Sequence, residues 1–359
     1  MKRRMSQRSR LLDTSRWHRF ERRARIRGRD VVRAAGALKQ VAKGVREMKR
    51  YRLIVNPAAG GGRARSAVPA IERMLTAHGL SFDTKHTERP WHAAELARQA
   101  VGDGIDVVVA VGGDGTTNEV LNGLMQAKLA EEGSAALGVL CVGRGNDFAF
   151  SVGIPQGLKD GCECLSEDRR RTIDIGLAEG DQLPAGRFFG NGVGVGFDAV
   201  VGFEAANLKR LRGFPGYLVA ALKTVFLYFR PPETRIEYDE RTIEQRSLMI
   251  SVMNGRRLGG GFMMAPEAEI DDGLFDLNIV REVSRPRIFS LILRFMKGTQ
   301  AGQPEILSDR TRRITVTATD GVLPAHADGE TLCKGGNRLT MELLSQRIEV
   351  LSRAPGGER

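Results

Sequence analysis

Three glycine-rich segments could cradle an anion. They are Asn56-Pro57-Ala58-Ala59-Gly60-Gly61-Gly62, Gly112-Gly113-Asp114-Gly115-Thr116-Thr117-Asn118 and Gly143-Arg144-Gly145-Asn146. Small residues let backbone N–H groups approach a phosphate, and a following helix adds its positive end. Carboxylates sit in or beside such segments: Asp114, Asp147, Asp174 in Thr172-Ile173-Asp174-Ile175-Gly176, and Glu330 in Asp328-Gly329-Glu330. Carboxylates that share a cleft suit a hard cation such as Mg2+, which takes few direct carboxylates and keeps waters. No Gly-Lys-Ser/Thr occurs, so none of the three segments is a P-loop, and none is a Gly-x-Gly-x-x-Gly turn between strand and helix. Plainer readings compete. An aspartate among glycines can bond its own backbone, and Asp328-Gly329 is the strongest short hairpin signal there is.

The apolar pattern places these segments. Residues 51–55 read as a strand running into the first of them, and 66–78 as a helix with Val68, Ile71, Met74 and Leu75 at helical spacing. Strands follow at 81–86, 106–111 and 136–142, with helices at 91–101 and through Val120, Leu121 and Leu124. The alternation predicts an open parallel sheet whose strand ends carry the glycine segments, where such sheets bind phosphates. From about Thr172 the texture changes. Runs at 187–195, 235–238, 247–254, 274–280 and 313–319, with helices at 215–229 and 286–296, predict a largely antiparallel second domain. Short strands at 341–344 and 348–351 close the chain. The predicted fold class is α/β, with an N-terminal open parallel-sheet nucleotide-binding domain, a C-terminal mainly antiparallel β domain and the active site in the cleft between them. The expected divisions are a basic tail over 1–50, a nucleotide domain over 51–173 and a β-rich substrate domain over 174–339. Strands near 340–352 are expected to return to the first domain.

The formal net charge of +12 is a property of the tail. Residues 1–50 hold 18 Lys+Arg against 4 Asp+Glu, and the rest of the chain 37 against 39. A near-neutral body implies no phosphate-tracking surface, so nucleic acid is not an expected partner. The tail reads as an electrostatic anchor for an anionic membrane or as a segment without a role. Met48, just before the first strand, is an alternative start. Four cysteines in 359 residues, Cys141, Cys162, Cys164 and Cys333, exclude a disulfide scaffold and match no four-ligand zinc spacing. No apolar run reaches the ~20 residues of a membrane span. A cytoplasmic protein, peripheral at the inner membrane face, is expected; a homodimer is compatible with the sequence.

Together the motifs resemble the diacylglycerol kinase catalytic family, which includes bacterial lipid kinases and the sphingosine and ceramide kinases. The resemblance is carried by Asn56-Pro57-x-x-Gly60, by Gly112-Gly113-Asp114-Gly115-Thr116-x-Asn118-Glu119-Val120-x-Asn122-Gly123, and by Gly143-x-Gly145-Asn146-Asp147-Phe148-Ala149. It continues through Asp174-x-Gly176, the 191–199 segment, Gly259-Gly260-Gly261, Asp271-Asp272-Gly273 and Asp328-Gly329-Glu330. It implies an ATP- and Mg2+-dependent kinase that phosphorylates a lipid hydroxyl at a membrane surface. By resemblance, Asn56, Pro57, Ala58, Ala59 and Gly60, with Gly112, Gly113, Asp114, Gly115, Thr116, Thr117 and Asn118, hold the ATP phosphates. Thr87 and Asn146 contact nucleotide, and Arg63 is a candidate phosphate partner. Asp114, Asp147 and Asp174 surround the metal, and Glu330 is the general base beside a catalytic Asp114. Glu269, Asp272 and Leu274 resemble a second, structural Mg2+ site.

Two departures bear on activity. Arg144 replaces a nucleotide-contacting threonine; a guanidinium there could pair with phosphate or block the pocket. Phe150 stands where the family has arginine, which removes a cation near the cleft. The alternatives are an NAD kinase-like enzyme, which shares Gly-Gly-Asp-Gly-Thr, and a catalytically silent homologue that binds nucleotide or lipid. His326, alone, reads as structural, and Cys162-x-Cys164 as helix packing.

Overall fold

The structure, a computed structural model, describes residues 49–207, 219–220, 223 and 230–353. The tail at 1–47 and all but three residues of the expected 215–229 helix lie outside the described residues.

The parallel part is built from β1 (Arg50–Val55), α1 (Arg63–Ala77), β2 (Ser81–His86), α2 (His92–Gly102), β3 (Val107–Gly112), α3 (Asp114–Leu129) and β4 (Ala136–Cys141). Its strands lie in the order β2-β1-β3-β4, all parallel. Every residue of β3 and β4 is buried, as both faces of a parallel sheet must be when helices cover them. Alternation divides the strands between two cores. Leu53, Val55, Val107 and Val109 pack toward α1 and α5 (Leu158–Glu167), with Ile71, Leu75 and Leu165. Ile54, Val108 and Ala110 pack toward α2 and α3, with Ala97, Val120 and Leu121. The short α4 (Asp147–Val152) precedes α5.

The rest is mainly antiparallel: β5 (Arg170–Gly180), β6 (Leu183–Phe189), β7 (Gly192–Gly196), α6 (Phe197–Asn207), β8 (Glu233–Tyr238), β9 (Arg241–Met253), β10 (Phe275–Arg281), α7 (Arg285–Lys297), β11 (Ile306–Thr311), β12 (Arg313–Asp320), β13 (Leu323–Ala327), β14 (Glu330–Gly336) and β15 (Arg338–Leu351). The expected run at 187–195 is two strands, β6 and β7, separated at Gly190-Asn191. The two short terminal strands are one, β15, whose register shifts between Leu344 and Ile348. Its far end joins β4 in parallel through Val350 and Leu137, so one strand ties the two parts. β9 does similar work inside the antiparallel part. Arg241–Arg246 pairs with β8, and Met249–Met253 with β7 and β10. Phe189 and Phe275, ring centroids 5.6 Å apart, stack in the core that results. A further cluster, including Phe197, Val201, Leu248, Met249, Ile288 and Leu291, gathers α6 and α7.

Candidate active site

β1, β3 and β4 are neighbours, so the three glycine segments meet at one sheet edge. β1 is flanked by β2 on one side and β3 on the other, the strand reversal at which open α/β sheets form a crevice. Cross-bonds hold the segments together. Asn56 accepts the Ala58 N–H at 3.1 Å and donates to Thr116 Oγ1 at 3.1 Å, joining the first segment to the second. Asp114 accepts the N–H groups of Asn146 at 2.6 Å and Phe148 at 3.2 Å, joining the second to the third. It thereby caps α4, whose first turn would otherwise hold unmet donors. Arg63 donates to Gly60 O at 3.1 Å and Val142 O at 3.1 Å, so its guanidinium braces the first and third segments. Thr87 lies beside the end of β1, its N–H bonded to Val55 O at 2.9 Å.

The opposite wall is the β13–β14 hairpin. Asp328 at φ 49° and Gly329 at φ 83° are both left-handed, the geometry of a two-residue type I′ turn, which glycine adopts without strain. The hairpin reading was right but incomplete. The buried Asp328 side chain accepts four donors: Asn118 Nδ2 and the N–H of Gly190 at 2.9 Å each, and the N–H groups of Asn191 and Gly192 at 3.0 Å each. That network fixes the turn against α3, and the next side chain, Glu330, lies against Gly115, where an added Cβ would fall 2.3 Å from Glu330 Oε1.

Asp114, Arg144, Asp147, Asp328 and Glu330 line one cleft of about 250 Å³ with Gly115, Gly145, Gly259, Gly260 and Gly329. Its electrostatics are those of crowded carboxylates. Burial, followed by the charge of Asp147, pushes the Asp114 carboxyl up to about 7. Burial also raises Asp328 and Asp147, the latter despite Arg257 at 2.7 Å. Glu330 is raised by burial and by Glu119, against an opposing pull from Arg187. A group of desolvated carboxylates with too little positive charge is where a divalent cation lowers the energy. Asp114, Asp147 and Asp328 supply the negative charge that a cation in this cleft would balance, while their oxygens accept N–H groups in this structure.

Asp174, expected in the metal set, does not line this cleft. It is wholly buried, and its oxygens accept the N–H groups of Gly273 at 2.7 Å and Gln346 at 2.6 Å. It holds the β10 approach against the shift in β15, and Asp328 takes the third place in the cleft. The second expected site does not fit a metal. Asp272 accepts the Leu274 N–H at 3.1 Å and pairs with Arg310 at 3.2 Å, while Asp271 is held by both arms of Arg171 at 2.6 Å. Guanidinium groups already pair with these carboxylates, and Glu269 adds a further negative charge near Arg171 and Arg310. No group of three or more His, Cys, Asp or Glu side chains is arranged to hold a metal among the described residues.

Two further residues were not picked out from the sequence. Arg257 pairs with Asp147, donates to Gly145 O at 2.9 Å and lies 4.1 Å over the Phe150 ring. A cation from another segment thus lies over Phe150, which no local pattern announces. Arg187 stacks 4.2 Å over Trp91 and donates to Thr331 O at 3.3 Å, next to Glu330. Arg144 is exposed, with an arm near Gly61 and no bonded partner among the described residues.

Beyond Gly259 lies a second, apolar cavity of about 70 Å³ among α6, α7 and β9, lined by Phe197, Val201, Leu248, Met249, Ile288 and Phe295. Its polar lining is Asp198 and His326, 3.6 Å apart; Asp198 Oδ2 and His326 Nδ1 have no hydrogen-bond partner.

Residues 50–178 match the diacylglycerol kinase catalytic domain, and residues 191–352 match the YegS C-terminal NAD kinase beta sandwich-like domain. A diacylglycerol kinase of Bacillus subtilis (strain 168) is 27% identical over 285 residues, 79% of this chain and 90% of that protein. A Chromohalobacter salexigens protein named "Probable lipid kinase YegS-like" is 37% identical over 193 residues, 54% of this chain and 59% of its own length. The crystal structure of a diacylglycerol kinase from Bacillus anthracis str. Sterne shares the fold, with a TM-score of 0.64 at 21% identity over 86% of this chain and 98% of that one.

Proposed function

Because the chain belongs to the diacylglycerol kinase catalytic-domain family, we propose that it is an ATP-dependent lipid kinase that moves the γ-phosphoryl group to the hydroxyl of a lipid such as diacylglycerol. The observation that carries this reading is the pairing of two unlike cavities. A carboxylate-lined cleft at the second and third glycine segments shares Gly259 with an apolar cavity. An amphiphilic acceptor has this shape, with a hydroxyl for the cleft and a chain for the cavity. NAD kinase chemistry would use the same phosphate segments but has no need of the apolar cavity.

The nucleotide lies across the first and second segments, with Thr87 at its edge and Asn146 and Arg144 over its phosphates. The positive end of α3 and the N–H groups around Gly113 neutralise phosphate charge. Arg144 is an exposed guanidinium able to take a phosphate bidentately. Asp114 and Asp147 are the residues that would hold Mg2+, with the Asp328 charge behind them; when bound, the ion would supply charge neutralisation on the phosphates. Glu330 takes the acceptor proton. Burial raises its carboxyl, which strengthens it as a base, and Arg187 pulls in the opposite direction. The division into a nucleotide domain over 51–173 and a lipid domain over 174–339 belongs to the same proposal, as does work at the cytoplasmic membrane face. No helix among the described residues is long and apolar enough to cross a membrane.

The test is transfer from radiolabelled ATP to a panel of diacylglycerol, phosphatidylglycerol, monoacylglycerol, sphingosine, ceramide and NAD. Label in one of the lipids, dependent on Mg2+ and Glu330, is expected. Label in NAD alone, or in nothing, would overturn the reading.

A further inference from the structure

Helix α7 has two faces that contradict the usual plan of a surface helix, and the reversal has a direction. Its inner face, Ile288, Leu291, Ile292 and Phe295, is buried and walls the apolar cavity. A covered inner face should be matched by a polar outer one. Instead Leu293 stands at the centre of the outer face with 56% of its surface in water, among the most exposed large apolar residues described. Phe289 and Met296, within one helical turn of it, are half-buried and pack against the core beneath, so Leu293 is the exposed apolar group of the helix.

The charges around it have one sign. The sequence Arg285–Lys297 contains Arg285, Arg287, Arg294 and Lys297 and no acidic residue. Arg287 is turned inward against Glu305, and Arg281 and Glu282 cancel on the approach to the helix. That leaves Lys297 one turn from the exposed leucine, with Arg285 and Arg294 elsewhere on the same helix and Arg294 donating to Thr299 O. A leucine on a helix whose free charges are all cationic matches an anionic bilayer surface, where the apolar group enters the acyl boundary and the cations meet phosphates. A second copy of the chain matches it less well, because a two-fold contact through this face would set Arg294 and Lys297 against their own kind.

The cavity beneath supplies the reason for the placement. At about 70 Å³ it is below the ~300–1,000 Å³ of a site for an organic ligand, so an acyl chain needs it to widen. The helix that walls it is also the helix whose outer face suits the membrane. The geometry points to α7 as a membrane-docking element that sets Leu293 into an anionic bilayer and brings the apolar cavity to the surface from which the acceptor lipid is drawn. This inference rests on the lipid-kinase reading and adds the surface by which the substrate arrives.

The native thiols make a direct test practical, because Cys141, Cys162, Cys164 and Cys333 are all buried. Leu293→Cys in the full chain, labelled with a polarity-sensitive fluorophore, is titrated with vesicles of phosphatidylcholine alone and with phosphatidylglycerol added. Leu129→Cys, at a site 58% exposed on α3, serves as the comparison. The basic tail can attract anionic vesicles by itself, but it would not place residue 293 in the apolar layer while sparing residue 129. A blue shift at 293 with anionic vesicles and none at 129 is expected. Equal response at both sites, or a shift at 293 that grows with protein concentration without vesicles, overturns the proposal.

A second variant, Leu293→Asp, separates docking from catalysis. Activity on long-chain diacylglycerol in vesicles should fall roughly tenfold, the scale of one leucine lost from an apolar phase, with activity on a dispersed short-chain diacylglycerol unchanged. Equal losses on both substrates would make Leu293 a structural residue and overturn docking. Absence of activity on any lipid in the unmodified chain would sink the kinase reading, while the fluorescence result would still decide docking.

Discussion

Two groups of carboxylates resemble metal sites in the sequence, and the structure treats them in opposite ways. At the cleft, Asp114, Asp147, Asp328 and Glu330 lie close together, satisfied mainly by backbone N–H groups and, at Asp147, by Arg257. Around Asp271–Asp276, every carboxylate has a guanidinium: Arg171 for Asp271, and Arg310 for both Asp272 and Asp276. The first group keeps an excess of negative charge in a desolvated place, and its members are pushed toward neutrality. In the second, two guanidinium groups pair with all three carboxylates, although burial raises Asp276 there too. The lesson is that a carboxylate motif becomes a candidate cation site when its neighbours leave the charge uncompensated, and only the assembled fold settles that.

The largest expected effect lies at Glu330. Glu330→Gln keeps size and hydrogen bonding but cannot take a proton, so phosphoryl transfer should drop ~10²–10⁴-fold with ATP binding retained. Transfer near the unmodified rate would remove Glu330 from the mechanism.

Asp114→Asn comes next. An amide keeps one acceptor and turns an NH2 toward a backbone N–H of α4, so both charge and loop geometry suffer. The Mg2+ concentration for half-maximal rate should rise roughly tenfold or more, the scale of a lost charge-assisted hydrogen bond. An unaltered Mg2+ titration would reduce the cleft group to the status of the Asp271–Asp276 group.

A smaller change should follow from Arg187→Met. Arg187 lowers the Glu330 pKa against burial and Glu119. A base acts when ionised, so rate falls as pH drops through its pKa. Removing the cation should move that acid limb to higher pH and leave the alkaline plateau in place. A limb that stays where it was would show that Arg187 does not act on Glu330.

The smallest effect belongs to the guanidinium-paired group. Asp272→Asn breaks the pair with Arg310, itself 43% exposed at its side chain, and should cost about 0–1 kcal/mol of stability with no change in Mg2+ dependence. A loss of Mg2+ affinity in this variant would restore the second metal site and break the contrast.

Much of this was readable before the fold was known. The β-α alternation places the phosphate segments at adjacent strand ends, because a buried parallel strand needs an unbroken apolar run and the turn after it needs small residues. Asp114, Asp147 and Glu330, read from three separate motifs, line one cleft. Asp174 does not, although its motif looks equally chemical, because two backbone N–H groups from distant turns claim its oxygens. Arg257 and Arg187 were invisible for the complementary reason: their partners are 110 and 144 positions away.

Local pattern therefore determined the elements, the parallel sheet and its glycine-lined edge, since these depend on spacing within a dozen residues. Tertiary structure decided which carboxylates stay uncompensated, that Asp328 and not Asp174 completes the cleft, and that an apolar cavity opens beside it. Those outcomes depend on charge and burial summed over segments far apart in the chain. Burial removes the water that would screen each charge, so the nearest guanidinium or N–H, wherever it comes from in sequence, sets what each carboxylate can do.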